Sequence, residues 1–374
     1  MTKKVCLVGP VHPYRGGIAH FTARLAGEFA NDYEVLIASF HRLYPSFLFP
    51  GRTQFDDAGS PPVVTAIRVI DSINPLSWWR AAMAIARFDP GIVIFNWWHP
   101  FFAPAYASII FFLNRKTKVK PVFLCHNVLP HESSPLDRVL TRVGYRSVNR
   151  FLVQSSEDER TLLRLKTDAR VAMRPLPIFD FFDRGKYSRQ SARRELGLEG
   201  KVILFFGLIR PYKGLRFLID AFAGIAGQLE ATLLIVGEFY EKKEPYLDQI
   251  RMSGVEDRVR VIDRYVADEE VEKYFLACDL VVLPYLSATQ SGIVQIAYSF
   301  DKPVVVTAVG GLPDVVDEGV TGFLVPPADS DALDHAIRRF FEDDMGESMT
   351  QGVAAARERF SWTACKEALV ELGR

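Results

Sequence analysis

The sequence predicts an α/β protein built from two doubly wound, Rossmann-like domains in tandem. Three observations carry this. Short β-branched or aromatic runs alternate with longer amphipathic segments along the 374 residues. The strand candidates are continuous apolar runs, as expected for parallel strands covered on both faces. The alternation stops once, at 174–200, and then restarts. The length also suits two domains better than one.

In the first half the strands read "KVCLVG" (4–9), "YEVLIAS" (33–39), "TAIRVI" (65–70), "GIVIFN" (91–96), "PVFLCH" (121–126) and "RFLVQS" (150–155). Between most of them lie stretches of helical spacing, such as 18–29 and 75–88. The break, "RPLPIFDFFDRGKYSRQSARRELGLEG", carries two prolines, a charged tract and no strand, with a short helix expected near 190–196. It reads as the passage between domains.

The second half places strands at "KVILFFG" (201–207), "TLLIVGE" (232–238), "RVRVID" (258–263), "LVVLPY" (280–285) and "PVVVTA" (303–308). "GFLVPP" (322–327) reads as a short edge segment. Helices are expected at 214–226, 243–252, 268–276, 291–299 and 329–343, and the tail as a helical stretch broken near Phe360. The organisation is a first domain at 1–175, a linker at 176–200, a second domain at 201–345 and a C-terminal helical segment at 346–374.

Composition narrows the function. Lys plus Arg equal Asp plus Glu at 45 each, so no global charge draws the chain to nucleic acid and any anion site must be local. Cys6, Cys125, Cys278 and Cys365 share no metal or redox spacing and read as thiols of a reducing compartment. "MTKKVCLVGP" has no signal-peptide core. The longest apolar run, "FFAPAYASIIFFL" at 101–113, falls short of the ~20 residues a spanning helix needs. A cytoplasmic protein is expected. The aromatic stretches 44–51, 78–80 and 96–104, with the basic "RKTKVK" at 115–120, leave an interfacial role on the inner face of the membrane open.

In open α/β sheets ligands sit beyond the carboxyl ends of the strands, so the loops there matter most. "GLIRPYKG" follows the first strand of the second half and places Arg210 and Lys213 three residues apart. Arg210 offers a planar fork for phosphate oxygens, and Lys213 a mobile point charge. "LSATQSG" puts Thr289, Gln290, Ser291 and Gly292 before a helix whose first N–H groups suit an anion. "AVGGLPDVV" adds Gly310 and Gly311, with Pro313 placed to start a helix. Gly237, after the next strand, is a weaker signal. Three such loops at one sheet edge converge on a phosphate or diphosphate site.

The first half offers matching loops. In "GPVHPYRGGIAHF", Gly16 and Gly17 precede a helix, but there is no GxGxxG fingerprint, which weighs against a dinucleotide enzyme. His126 stands at a strand's carboxyl end, with His131 and Glu132 further along the same loop. The histidines show no metal spacing, and no paired carboxylates are placed to hold a divalent cation, so no metal and no cofactor are expected.

These motifs together resemble the GT-B fold glycosyltransferases, specifically the retaining family 4 enzymes that use nucleotide sugars. The resemblance covers nearly the whole chain. It rests on "GLIRPYKG", "LLIVGE", "ACDLVVLPY", "RGGIAHF" and above all "KPVVVTAVGGLPDVVDEGVTGFLVPPADSDAL". It implies two Rossmann-like domains facing across a cleft, with the donor on the second and a glycan or lipid-linked acceptor on the first, in surface polysaccharide or glycolipid synthesis. It implies that Arg210 and Lys213 neutralise the leaving diphosphate, and that the helix starting near Ser291 meets the same phosphates. Tyr265 and Val266 would contact the base, Gly17 the phosphate and His126 the sugar. Gly16, Gly207, Gly237, Thr289, Gln290, Gly292 and Gln295 complete the expected donor site. The final helix would cross back to the first domain.

Two departures stand out. The family's arginine directly after the strand glycine is here Leu208. The family's pair of glutamates, eight residues apart, falls on Ala288 and Ile296. Donor recognition is then either rewired, with Thr289, Gln290, Ser291 or Gln295 in their place, or the chain binds nucleotide sugar without turnover. An epimerase on the same fold is a further alternative.

Overall fold

The structure, a computed structural model, describes residues 3–45, 54–55, 65–130 and 134–374. His131 and Glu132, and most of the aromatic stretch 44–51, lie outside the described residues.

The chain divides into two compact units, Met1–Pro175 with Trp362–Arg374, and Leu176–Ser361. Unit 1 is built on β1 (Lys4–Val8), β2 (Glu34–Arg42), β3 (Ala66–Asp71), β4 (Ile92–Trp97), β5 (Pro121–Cys125), β6 (Arg150–Val153) and β7 (Arg170–Met173). They form one sheet in the order β3-β2-β1-β4-β5-β6-β7, every pairing parallel. The apolar runs are buried on both faces, which is why they read as continuous rather than alternating.

Right-handed crossovers fix the helix layers. Successive strands from β3 to β7 step in one direction, so α2 (Pro75–Phe88), α3 (Ala103–Lys116), α4 (Pro135–Arg146) and α5 (Ser156–Leu165) cover one face. α1 (Gly17–Ala30) joins β1 to β2 in the other direction and covers the opposite face, where it packs against α13 (Trp362–Gly373). β7 was not anticipated from the sequence. Its four residues, "RVAM", alternate charge with partly exposed apolar side chains at a sheet edge, too short a pattern to stand out.

Unit 2 has β8 (Lys201–Phe206), β9 (Ala231–Val236), β10 (Val259–Ile262), β11 (Leu280–Leu283), β12 (Val304–Thr307) and β13 (Gly322–Val325). The order is β10-β9-β8-β11-β12-β13, again all parallel, and β13 is the edge strand that was expected. The helices are α6 (Arg189–Leu196), α7 (Leu215–Ala226), α8 (Glu244–Met252), α9 (Asp268–Ala277), α10 (Gly292–Ser299), α11 (Ser330–Glu342) and α12 (Gly346–Ala356). Each unit has its own apolar core, centred on the middle strands.

Four expectations need correction. Residues 176–200 are not a free passage but part of unit 2. Arg193 of α6 donates to the Ala277 carbonyl and to Asp279 at 2.7 Å, and Asp279 also accepts from the Val202 amide, so the segment is clamped to its sheet. The tail does not act as one piece, because only Trp362 onward belongs to unit 1. Pro313 starts no α-helix; a single 3-10 turn spans Leu312–Asp314. The aromatics of 96–104 are largely core: Trp97 and Phe102 are fully buried, Trp97 stacking on Phe123 and Phe102 meeting Tyr44 edge-on.

α13 is held to unit 1 by Lys366, whose ammonium reaches Asp32 at 2.7 Å and Glu28 at 3.4 Å. Glu28 also accepts from Thr363 at 2.9 Å. The lysine is nearly buried, so removing it takes one of two cations from a largely enclosed carboxylate, leaving Glu28 with Arg24 at 3.3 Å and Thr363. Lys366→Ala is expected to lower stability by about 1–3 kcal/mol, read as a fall in Tm; an unchanged Tm would show that this contact does not hold the helix.

Candidate functional site

In each sheet the strand order reverses once, between β1 and β4 and between β8 and β11. The carboxyl ends flanking such a reversal form a crevice, because adjacent loops leave in opposite directions.

In unit 2 that crevice holds Lys213. The chain leaves β8 through Gly207, makes a 3-10 turn over Pro211–Lys213 and starts α7 at Leu215. Lys213 Nζ donates to Tyr285 Oη at 2.7 Å and lies 3.9 Å from the centre of the same ring. Tyr285 Oη is 3.4 Å from Ser291 Oγ, at the start of α10. One ammonium thus joins the loops after β8 and β11. Burial pushes the Lys213 pKa down to about 8, and the nearby Arg210 guanidinium pushes the same way. Arg210 lies 4.9 Å over the Tyr240 ring, from the loop after β9. No carboxylate pairs with either cation among the described residues.

Close backbone approach holds these loops together. Leu286 N donates to Tyr212 O at 2.7 Å and Gly311 N to Thr289 O at 3.0 Å. Gly214 adopts φ +66°, and a Cβ there would sit 1.9 Å from Pro284 O. Gly310 adopts φ +56°, and its Cβ would sit 1.4 Å from Ala288 O. Only glycine fits either place. The loops after β8, β9, β11 and β12 therefore meet at one edge, which brings together Gly207, Gly237, Arg210, Lys213, Thr289, Ser291 and the Gly310–Gly311 pair.

Ser291 occupies the N-cap of α10 without its side chain capping the helix, and Gly292 begins it. The first amides of α10 therefore keep their donors, beside the Lys213–Tyr285–Ser291 chain. Gln295 is 1 % exposed and its Oε1 has no hydrogen-bond partner among the described residues. Ala288 and Ile296 are both buried, so the places of the two glutamates are filled by apolar packing. Gln290 lies in the same loop. Tyr265 and Val266 follow β10, the outermost strand on that side, half-buried and buried respectively.

In unit 1 the reversal brings Asn96, at the end of β4, against Gly9, where a Cβ would meet Asn96 Nδ2 at 2.7 Å. Asn96 Oδ1 lies 2.9 Å from His126 Nε2, which donates to it. His126 is 4 % exposed and packs edge-on against Phe21, ring centres 4.8 Å apart. Burial pushes its pKa down to about 3, against a weak opposing contact with Gln154, so the ring is neutral at physiological pH. It presents no cation to a phosphate. Gly16, at φ +108°, caps α1 with no side chain over the first amides, and Gly17 opens the helix.

The sequence reading missed Tyr285 and Asn96. Both end a strand on the carboxyl side, the position that singled out His126, so the same rule could have found them.

The family model "Glycosyl transferases group 1" matches residues 200–343. Among curated relatives, mannosylfructose-phosphate synthase of Agrobacterium fabrum is 29 % identical over 202 residues, 51 % of this chain and 44 % of that protein. D-inositol 3-phosphate glycosyltransferase of Corynebacterium glutamicum is 33 % identical over 196 residues, 49 % of this chain and 46 % of that protein. The matched stretch thus spans about half the length of these curated relatives. Among solved structures, sucrose-phosphate synthase of Thermosynechococcus elongatus aligns with a TM-score of 0.77 at 18 % identity, covering 99 % of this chain and 98 % of that one. HepE of Anabaena in complex with UDP aligns with a TM-score of 0.73 at 20 % identity, covering 98 % of both chains. The fold is GT-B.

The glycine approaches give a direct check. Gly310→Ala places a methyl group inside the van der Waals radius of a carbonyl and forces a left-handed φ on alanine, so stability is expected to fall by more than about 1 kcal/mol. Gly185→Ala, where a Cβ meets nothing within 4 Å, serves as the positive-φ control and is expected to cost less. Equal melting temperatures for the two variants would remove the close-approach argument.

Proposed function

We propose that this chain, whose residues 200–343 belong to the glycosyl transferases group 1 family, moves a sugar from a nucleotide-diphosphate donor to a glycan or lipid-linked acceptor. The observation that carries the reading is the pair Arg210 and Lys213 at the sheet reversal. They are two mutually repelling cations without a carboxylate, beside the uncapped start of α10. A diphosphate supplies the missing charge. HepE, a structural neighbour, is described with UDP and with UDP-glucose, which supports a UDP-sugar as the donor.

Cleavage of the glycosyl–phosphate bond leaves an oxocarbenium-like sugar and a more negative diphosphate. Fixed cations and oriented amides stabilise that product-like charge more than the ground state. Lys213, already under Tyr285, needs no reorganisation to meet it. Retention follows the family 4 resemblance, in which the departing phosphate takes the acceptor proton. His126 is neutral and bonded to Asn96, so its role in this reading is to shape the sugar's surroundings, not to give or take a proton.

A second reading is favoured by Ala288 and Ile296. Two buried apolar residues cannot accept hydrogen bonds from sugar hydroxyls, so the chain would bind nucleotide sugar without transfer. Assays with UDP-sugars and a panel of acceptors separate the two: binding without product under all conditions would favour the second.

Arg210→Ala and Lys213→Ala are each expected to lower turnover about 10²-fold, the effect of losing one leaving-group stabiliser. Wild-type rates in both variants would end the clamp. The Lys213 pKa supplies an independent check. Its folded value lies below that of a free lysine, and bound diphosphate favours the charged form. Affinity for UDP should therefore hold below pH 8 and fall above it, by about tenfold at pH 9. Calorimetric titration at pH 7, 8 and 9 measures this, and flat affinity would contradict it.

A further inference from the structure

The exposed apolar side chains of unit 1 are unevenly placed. Leu76 and Trp79 on α2, Phe111 on α3, Leu136, Val139 and Val143 on α4 and Leu163 on α5 are all exposed. α1 and α13, on the other face of the sheet, expose none among the described residues. Charge narrows the face further: α5 carries Glu157, Asp158 and Glu159 against Arg160 and Arg164, whereas its neighbours are basic. α2, α3 and α4 carry seven cations (Arg80, Arg87, Arg115, Lys116, Arg138, Arg142 and Arg146) and one carboxylate, Asp137. The whole chain has net charge zero.

α4 concentrates both properties. Leu136, Val139 and Val143 are 64 %, 54 % and 40 % exposed, spaced three and four apart on one helix face. Arg138, Arg142 and Arg146 repeat every four residues along its flank, with no ion pair among the described residues. On neighbouring α3, Arg115 stacks over exposed Phe111 at 3.4 Å. An apolar stripe flanked by arginines is how a helix lies in a membrane interface, with side chains in the acyl boundary and guanidinia at the headgroup phosphates.

We infer that the α2–α4 layer of unit 1, led by α4, binds the surface of an anionic phospholipid bilayer. A second copy of the chain fits less well. Pairing two α4 helices would set arginine against arginine, and the one carboxylate available is already held in the capping box with Ser134. No helix among the described residues is long and apolar enough to cross a membrane, so the contact lies in the surface plane. As a binding face it stands on unit 1 alone; as the place where a lipid-linked acceptor is met it rests on the glycosyltransferase reading.

The test is flotation of the full chain with vesicles of phosphatidylglycerol mixed into phosphatidylcholine, against phosphatidylcholine alone. Binding is expected on the anionic vesicles and not the neutral ones, weakening with salt. Leu136→Gln with Val139→Gln, and separately Arg138→Gln with Arg142→Gln and Arg146→Gln, should each reduce binding about tenfold or more. These positions are exposed, and UDP affinity, measured alongside, should not change. Absence of binding to anionic vesicles, equal binding to neutral ones, or undiminished binding by both variants would overturn the inference while leaving the donor site untouched. So would a dimer in sedimentation that disappears in Leu136→Gln with Val139→Gln.

Discussion

A lysine ammonium packed beneath a tyrosine ring organises the candidate donor site. Lys213 is drawn into the crevice between β8 and β11, bonded to Tyr285 and through it to the start of α10. Burial weakens its hold on its proton, and Arg210 adds repulsion. The free chain thus holds charge poorly at the point where a leaving diphosphate would bring the opposite charge. In the proposed transfer, the two side chains that repel each other in the free chain would also stabilise the charge of the leaving diphosphate.

The glycines around this pair are as necessary as the cations. Gly214 and Gly310 let backbone carbonyls approach where any Cβ would collide, so loops from β8, β11 and β12 close on one point. Unit 1 handles its own reversal differently. Asn96 and His126 fill the crevice floor with a neutral hydrogen bond against Gly9 and Phe21. Unit 2 thus gathers cations at its strand reversal, whereas the floor of the reversal in unit 1 is a neutral hydrogen bond.

Much of this was legible in the residues. The continuous apolar strands, the post-strand loops and the arginine–lysine pair all stand in the sequence, because burial on two faces and carboxyl-edge placement leave local patterns. Other features left none. β7 is short and half polar. The clamp of α6 onto Asp279 joins residues far apart in sequence. Tyr285 was visible only as the last letter of a strand, and the aromatic run 96–104, read as a surface candidate, turned inward. An aromatic cluster carries no sign of which side of a sheet will cover it.

The sequence by itself determined that the chain forms two parallel α/β units and which loops line their carboxyl edges. Periodicity and turn chemistry act over a few residues and need no partner. Only the tertiary structure decided that Lys213 sits under Tyr285, that His126 is neutral, and that α4 keeps its leucine and valines exposed. Each of those depends on which distant side chain removes water from which group, and desolvation is a property of the packed fold.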